Sequence, residues 1–434
     1  MSLRRVSRTL IEGLPSIAKA RVRFFIRGDR KPMFKHIPPY PGDPIMSLFE
    51  AFQKDHHPRK INLSIGLYYD NENNIPVLEC VRRAKALLAN EDKPHTYLPM
   101  EGMALYRQML QETVFGKDSP VLRDKRVATI QSVGGSGALR IGADFLKTYF
   151  PGSAVWVSDP TWDNHQVIFA GAGLEIHAYP YYDELTNSLK FEQMLGCIST
   201  LPAHSIVLLQ PCCHNPTGID MSREQWLELI PVLQQRRLIP FMDMAYQGFG
   251  DGLDEDAWAI RTMANAGMPF VVSNSFSKNF SLYGERSGGL SFVAASEAEA
   301  TTILGQLKAA VRRIYSSPPL YGARLISTVL GTPELAAQWD AEVAQMRIRI
   351  RHMRTSLQQL LQHKLSEAAA GYLTEQRGMF SYTGLSAAEV DRLREEQGVY
   401  LLRSGRMCVA GLNEANIEHV AASMADILRA RINP

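Results

Sequence analysis

Between about residues 80 and 340 the sequence alternates short apolar runs with stretches whose apolar residues recur at helical spacing. That alternation leaves few folds open, because strand-then-helix repetition argues for a mostly parallel sheet covered by helices on both faces. The segments 154–157, 175–179, 205–209, 239–242, 270–273 and 290–294 read as strands. Leu139, Ala143, Leu146 and Phe150 fall on one helical face, in a helix expected to start at Ala138 and stopped by Pro151. Ahead of this region, Ile61, Leu63, Ile65 and Leu67 alternate as in a short strand over 60–69. Beyond Pro318-Pro319 a long helical pattern runs through Leu335 to about Gln362. Strand-like 379–382 and 407–410 and a last helix from about Glu414 follow. The expectation is an α/β chain of two domains. A large one over 76–345 carries the parallel sheet, and a smaller α/β one is assembled from 43–75 and 346–434.

A chain of 434 residues is long enough for two cores, and 45% hydrophobic with 21% charged residues is a globular composition. No apolar run approaches the roughly 18 residues that span a bilayer, so no membrane role is expected. Residues 1–32 carry nine Lys/Arg against Glu12 and Asp29, whereas the remainder has 38 basic and 42 acidic residues. A mildly acidic body gives no reason to expect nucleic acid. The basic leader is read as an extension outside the folded body, either disordered or upstream of a pattern that starts at Met33. A targeting peptide or amphipathic anchor is the minority reading. Cys80, Cys197, Cys212, Cys213 and Cys408 are too sparse and scattered for a disulfide framework and show no metal-ligand spacing. They are read as small buried hydrophobes in a reducing cytoplasm, and no metal is expected.

Six motifs carry chemistry. Gly134-Gly135-Ser136-Gly137 precedes a helix, where close backbone approach and exposed amides suit a phosphate, although such a turn is as often only a turn. Ser275-Phe276-Ser277-Lys278, with Arg286 eight residues on, joins two hydroxyls and a guanidinium for a dianion to an amine able to condense with an aldehyde. Asp243 ends the strand over 239–242; a carboxylate there is costly without a cation, and a protonated pyridine nitrogen is such a cation. Tyr246 follows it, and Asn215 lies in the turn-forming His214-Asn215-Pro216-Thr217-Gly218. Both can reach a phenolic oxygen of that ring. Trp162 offers a stacking face, and Arg406 in Ser404-Gly405-Arg406 offers a planar fork for a carboxylate. Each has an ordinary structural alternative, yet together they supply one of every group that a pyridoxal phosphate site requires. Three follow predicted strands of one sheet, where open α/β folds bind ligands.

On these motifs, together with Ala245-Tyr246-Gln247-Gly248-Phe249 and Ser277-Lys278-Asn279-Phe280, the chain resembles the class I pyridoxal-phosphate aminotransferases of the aspartate/aromatic branch. It looks closest to the bacterial members acting on tyrosine and other aromatic amino acids, from Met33 to the C-terminus. The resemblance implies fold type I of the pyridoxal-phosphate-dependent transferases. It also implies transfer of the amino group of Tyr or Phe, and of Asp, to 2-oxoglutarate in a ping-pong cycle of the cofactor. Lys278 is then the Schiff-base lysine and proton carrier. Asp243, supported by His165, pairs with the ring nitrogen, and Asn215 and Tyr246 bind the phenolic oxygen. Trp162 stacks on the ring. Gly135, Ser136, Ser275, Ser277 and Arg286 hold the phosphate, joined by Tyr97 of a neighbouring subunit. Arg406 takes the substrate α-carboxylate, with Gly66, Trp162, Asn215 and Ser317 nearby. Arg312 is lent across a homodimer with shared active sites to a side-chain carboxylate. Leu67, Tyr69, Ile75, Ser136 and Ser317 resemble the aromatic side of the branch, while Thr96 and Arg403 depart from it. A β-lyase or decarboxylase is the nearest rival; two arginine clamps for dicarboxylic 2-oxo acids favour transamination.

Overall fold

Seven strands of the alternating region form one sheet in the computed structural model, which describes residues 33–40, 42–91, 94–365 and 370–432. The strands are β1 (Val127–Val133), β2 (Val155–Asp159), β3 (Ile176–Pro180), β4 (Ile206–Leu209), β5 (Ile239–Met244), β6 (Phe270–Ser275) and β7 (Ser287–Val293). Their spatial order is β1-β7-β6-β5-β4-β2-β3. β7 runs antiparallel to β1 and β6, and every other pairing in the sheet is parallel. Two compact units are distinguished, residues 1–47 and 48–434, and the sheet belongs to the second. In the first, Asp43 Oδ1 accepts the amides of Ile45 and Met46 (2.9 and 2.8 Å) where helix Pro44–Lys54 begins. The basic stretch 1–32 lies outside the described residues.

Six strands stand where the apolar runs predict them. β1 does not announce itself, because Thr129, Gln131 and Ser132 interrupt it and all three are buried. Partners inside the protein make that burial tolerable: Thr129 Oγ1 is 2.8 Å from Ser291 Oγ on β7 and accepts from Gln111 Nε2 at 2.8 Å. The predicted strand over 60–69 is corrected to Ile61–Asn62, which pairs in parallel with Val399–Tyr400. Past it the backbone turns on itself, Ser64 N donating to Asn62 Oδ1 (3.0 Å) and Leu67 N to Ile65 O (2.9 Å), and such local bonds compete with a ladder. The helix expected from Ala138, α1, spans Gly134–Tyr149 and takes the glycine run into its first turn.

α1, α2 (Asp163–Gly171) and α3 (Glu297–Ile314) cover one face of the sheet. At its centre Phe241 of β5 is fully buried, its ring 5.7 Å from that of Phe169. The 32-residue α4 (Pro333–Lys364) presents Leu335, Trp339, Val343, Met346, Ile350 and Met353 along one buried stripe. It packs against α5 (Ile417–Ile432). Leu63 N donates to Tyr400 O, and Cys408 N to Leu63 O, so segments near the two ends of the unit lie side by side. Among the described residues no helix is long and apolar enough to cross a membrane.

Removing the Phe241 ring leaves a cavity among close-packed neighbours. Phe241→Ala is expected to destabilise the fold by about 3–5 kcal/mol, read as a lower urea midpoint with an unchanged slope.

Candidate active site

Parallel strands end on the same side of a sheet, and β7, running the other way, starts there. The loops after β1, β2, β4, β5 and β6 and the loop before β7 therefore converge, and they carry the motifs. Asp243, near the end of β5, is 7% exposed. Its Oδ2 is 2.9 Å from His165 Nε2, and its Oδ1 accepts from Ser273 Oγ at 2.6 Å. His165 Nδ1 lies 2.8 Å from Thr161 Oγ1. Ser273 is opposite Asp243 in the β5–β6 register, so the hydroxyl follows from strand pairing. Two donors stabilise the buried carboxylate and leave it free lone pairs for a third.

Lys278 lies in the loop after β6, its Nζ 5.1 Å from the centre of the Tyr246 ring. Its pKa is pushed down to about 8, by burial first; Asp243 opposes the shift, while Arg286 and Arg406 add to it. Tyr246 is 5% exposed, and burial holds its phenol well above the usual range.

Arg286, in a left-handed conformation (φ 51°), directly precedes β7, and its carbonyl accepts the Gly134 amide at 2.9 Å. Gly134 has φ 64°, and a Cβ there would lie 2.7 Å from Arg286 Nη2, so only glycine lets the guanidinium sit over the start of α1. Among the described residues no side chain caps α1, leaving its first amides for an anion. Gly135 and Ser136 are half-buried in that turn. Ser275 and Ser277 are buried opposite, Ser277 N donating to Ser275 Oγ at 3.3 Å. Together these groups form an anion cup.

Arg406 comes from strand Arg406–Cys408, paired with Phe380–Tyr382. It is 4% exposed, with Nη2 donating to Ser64 O (2.7 Å) and Nη1 to Asn215 Oδ1 (3.2 Å). Nε is buried without a partner among the described residues, and no carboxylate pairs with the guanidinium. Burial lowers its pKa, yet the group stays a cation without a counterion, which suits a ligand carboxylate. The Phe380 ring lies 4.3 Å below it, and a Cβ on Gly66 would come within 2.8 Å of the same ring. Gln210 grips Asn215 at both backbone groups, its Nε2 donating to Asn215 O (3.1 Å) and its Oε1 accepting from Asn215 N (2.9 Å). Trp162 is half-buried and edge-on to His165, ring centres 5.2 Å apart.

Other predicted residues lie elsewhere. Tyr97 is 95% exposed, and Arg312 is exposed with Nη1 donating to Ser316 Oγ. Ser317 is half-buried. Thr96 is exposed. Arg403 pairs with Asp391 at 2.9 Å, so its added charge is met by an acid of helix Ala387–Gln397. Cys212, Cys213 and Asp256 cluster in the interior, but Asp256 already accepts the amides of Gly248, Gly250 and Asp251 (2.8–2.9 Å). Burial also pushes the Cys213 thiol up to about 11, so the neutral thiol is favoured over the thiolate a metal needs. Sequence reasoning missed Ser273, Thr161 and Phe380. A hydroxyl interrupting the apolar run of β6 was a signal for Ser273; Phe380 gave none, since a buried aromatic reads as core.

A family model for aminotransferase class I and II matches residues 58–424. The aromatic-amino-acid aminotransferase of Escherichia coli (strain K12) is 57% identical over 399 residues, 91% of this chain and all of that protein. The tyrosine aminotransferase of Klebsiella pneumoniae is 56% identical over the same shares. Among solved structures, an aromatic amino acid aminotransferase from Burkholderia cenocepacia J2315 superposes with a TM-score of 0.89 at 55% identity, covering 92% of this chain and 99% of that one. An aromatic-amino-acid aminotransferase from Burkholderia pseudomallei, covalently bound to pyridoxal phosphate, gives 0.90 at 46% identity, covering 91% and 99%.

The surroundings of Lys278 predict how its amine titrates. Competitive acylation read by mass spectrometry should give the free amine a pKa of about 8. Arg286→Met should raise that value, since a repelling cation is lost, and Asp243→Asn should lower it, since an attracting anion is lost.

Proposed function

The chain belongs to the class I and II aminotransferases, and we propose that it moves the amino group of tyrosine or phenylalanine, and of aspartate, to 2-oxoglutarate with pyridoxal phosphate as cofactor. The observation that carries this reading is a poised amine, Lys278, beside a buried carboxylate, Asp243, with an uncompensated cation, Arg406, in the same site. Pyridoxal phosphate supplies an aldehyde for amine exchange and an electron sink for the charge left at Cα.

The residues fit that group. Gly135, Ser136, Ser275, Ser277 and Arg286 would hold its phosphate in the anion cup. Asp243, steadied by His165 and Ser273, would meet the ring nitrogen and keep it protonated. Asn215 and Tyr246 would reach the phenolic oxygen, and Trp162 would stack on the ring. Arg406 would take the substrate α-carboxylate and fix which Cα bond faces Lys278, with Gly66 and Asn215 beside it and Ser317 at the entrance.

At pH 7 a pKa of about 8 leaves roughly one Lys278 amine in ten unprotonated, against about one in three thousand for an ordinary lysine. Freed by exchange with the substrate amine, Lys278 would accept the proton from Cα and return it two atoms along, at the carbon that the cofactor's aldehyde supplies. Burial makes that base available at neutral pH, and the neighbouring arginines hold it there.

We further propose a homodimer. Tyr97 and Arg312 are exposed, which suits residues lent to a partner's phosphate and side-chain carboxylate. The smaller domain is proposed over 43–75 and 346–434, supported from residue 48 onward by the pairing of Ile61–Asn62 with Val399–Tyr400, and the large one over 76–345. Five cysteines without a disulfide suit the cytoplasm.

Adding L-tyrosine to the purified protein should bleach the absorbance of the bound cofactor, and 2-oxoglutarate should restore it. Ammonia release without any 2-oxo acid acceptor would support the lyase rival instead. Lys278→Ala should abolish turnover. Arg406→Ala should lower kcat/KM by about 30-fold or more, the loss of about 2 kcal/mol or more expected for an unpaired buried carboxylate contact.

A further inference from the structure

At the end of the sheet opposite the candidate active site there is a cavity of about 590 Å3. Its floor includes Ile239 and Phe270, the first residues of β5 and β6, and Phe292 near the end of β7. β5 and β6 carry Asp243, Ser273 and Ser275 at their other ends, so the two sites are separated by the length of the strands. The lining is apolar and mostly interior: Leu233 is 0% exposed, Phe270 2%, Phe292 6% and Phe145 8%. Phe145 and Phe292 pack with ring centres 4.6 Å apart, giving aromatic edges on which another ring can settle. A space of this volume and character is typical of small-molecule sites, and water inside it finds few polar partners.

The exposed part of the lining carries one guanidinium, that of Arg237, next to His204. His204 and Arg237 both lie on tight turns with positive φ (67° and 54°), tied together by His204 N donating to Arg237 O at 2.8 Å. Arg237 makes no ion pair among the described residues. The acid in the lining, Glu299, is engaged with the amide of Ala295 at 2.9 Å. Adjacent Arg236 is turned to the Leu201 carbonyl at 2.7 Å, leaving Arg237 as the uncommitted guanidinium.

We propose that this cavity is a second ligand site, one that takes an aromatic monocarboxylate with its ring among Phe145, Phe270 and Phe292 and its carboxylate on Arg237. The charge pattern selects this class. An amine would meet the Arg237 guanidinium at the mouth, and a second carboxylate would have to enter the apolar interior unpaired. An uncharged arene would leave the guanidinium unused.

The test is isothermal titration of the cofactor-loaded protein with 3-phenylpropionate. Arg406 also takes carboxylates, so the titration is repeated on Arg406→Ala. Binding should persist in Arg406→Ala and, in that background, weaken by about tenfold or more when Arg237→Glu is added, the effect of losing one charge-assisted contact. Leu233→Trp, which fills the cavity, should remove it. Arg237 is exposed and distant from the reaction, so turnover by Arg237→Glu should match that of the unsubstituted protein. Absence of binding to Arg406→Ala, or binding of equal strength when Arg237→Glu is added to Arg406→Ala, would overturn the proposal.

Discussion

A carboxylate buried at the end of a central strand is the constraint around which the rest of this structure is arranged. Taking Asp243 out of water costs several kcal/mol unless its oxygens are met, and the fold meets them from two directions. Ser273 comes from the next strand, fixed by register, and His165 comes from the loop and helix after β2, oriented by Thr161. The sheet order puts β5 between β6 and β4, with β2 one strand further. One carboxylate is thereby held by elements that are distant in sequence and adjacent in space. Loss of either support would leave a buried charge half satisfied.

The same carboxylate opposes what burial does to Lys278. With burial and two arginines driving the amine toward neutrality, and Asp243 alone holding the proton on, the balance falls at about 8. A weaker Asp243 would make the base more available, but would leave a ring cation in the site without its counter-charge. The reversed direction of β7 is what brings in one of those arginines. An antiparallel strand between β1 and β6 begins where its neighbours end, so Arg286, directly before it, reaches the start of α1.

Much of this was legible in the sequence, for a physical reason. Strands buried on both faces are nearly continuous apolar runs, and loops at their ends carry polar motifs, so β2 to β7 and the residues following them stand out. β1 did not, because its buried hydroxyls and amides are satisfied across the sheet and disguise it as a polar segment. The segment 60–69 misled in the other direction: Ile61, Leu63, Ile65 and Leu67 alternate as in a strand, yet local bonds at Ser64 and Leu67 turn the chain after two residues of pairing. Phe380 was invisible for a third reason. Its role depends on which cation lies over its ring, and that is a fact of tertiary structure.

That ring also shows how the substrate clamp is built without a counterion. Arg354, on α4, is 3% exposed and likewise has no carboxylate partner among the described residues. Its Nη1 donates to Leu373 O (3.0 Å) and Ser381 Oγ (2.6 Å), and its Nη2 to Gly378 O (2.8 Å) and Phe380 O. A guanidinium has five donors in a rigid fork, so a cage of carbonyls can hold it where a single acid would pull it to one side. The cage is the chain that leads into Phe380, which presents its face to Arg406 while Ser64 O and Asn215 Oδ1 take two of that residue's donors. One buried cation thus fixes the backbone beneath a second. Because neither makes an ion pair with an acid among the described residues, the charge at Arg406 is left for a ligand.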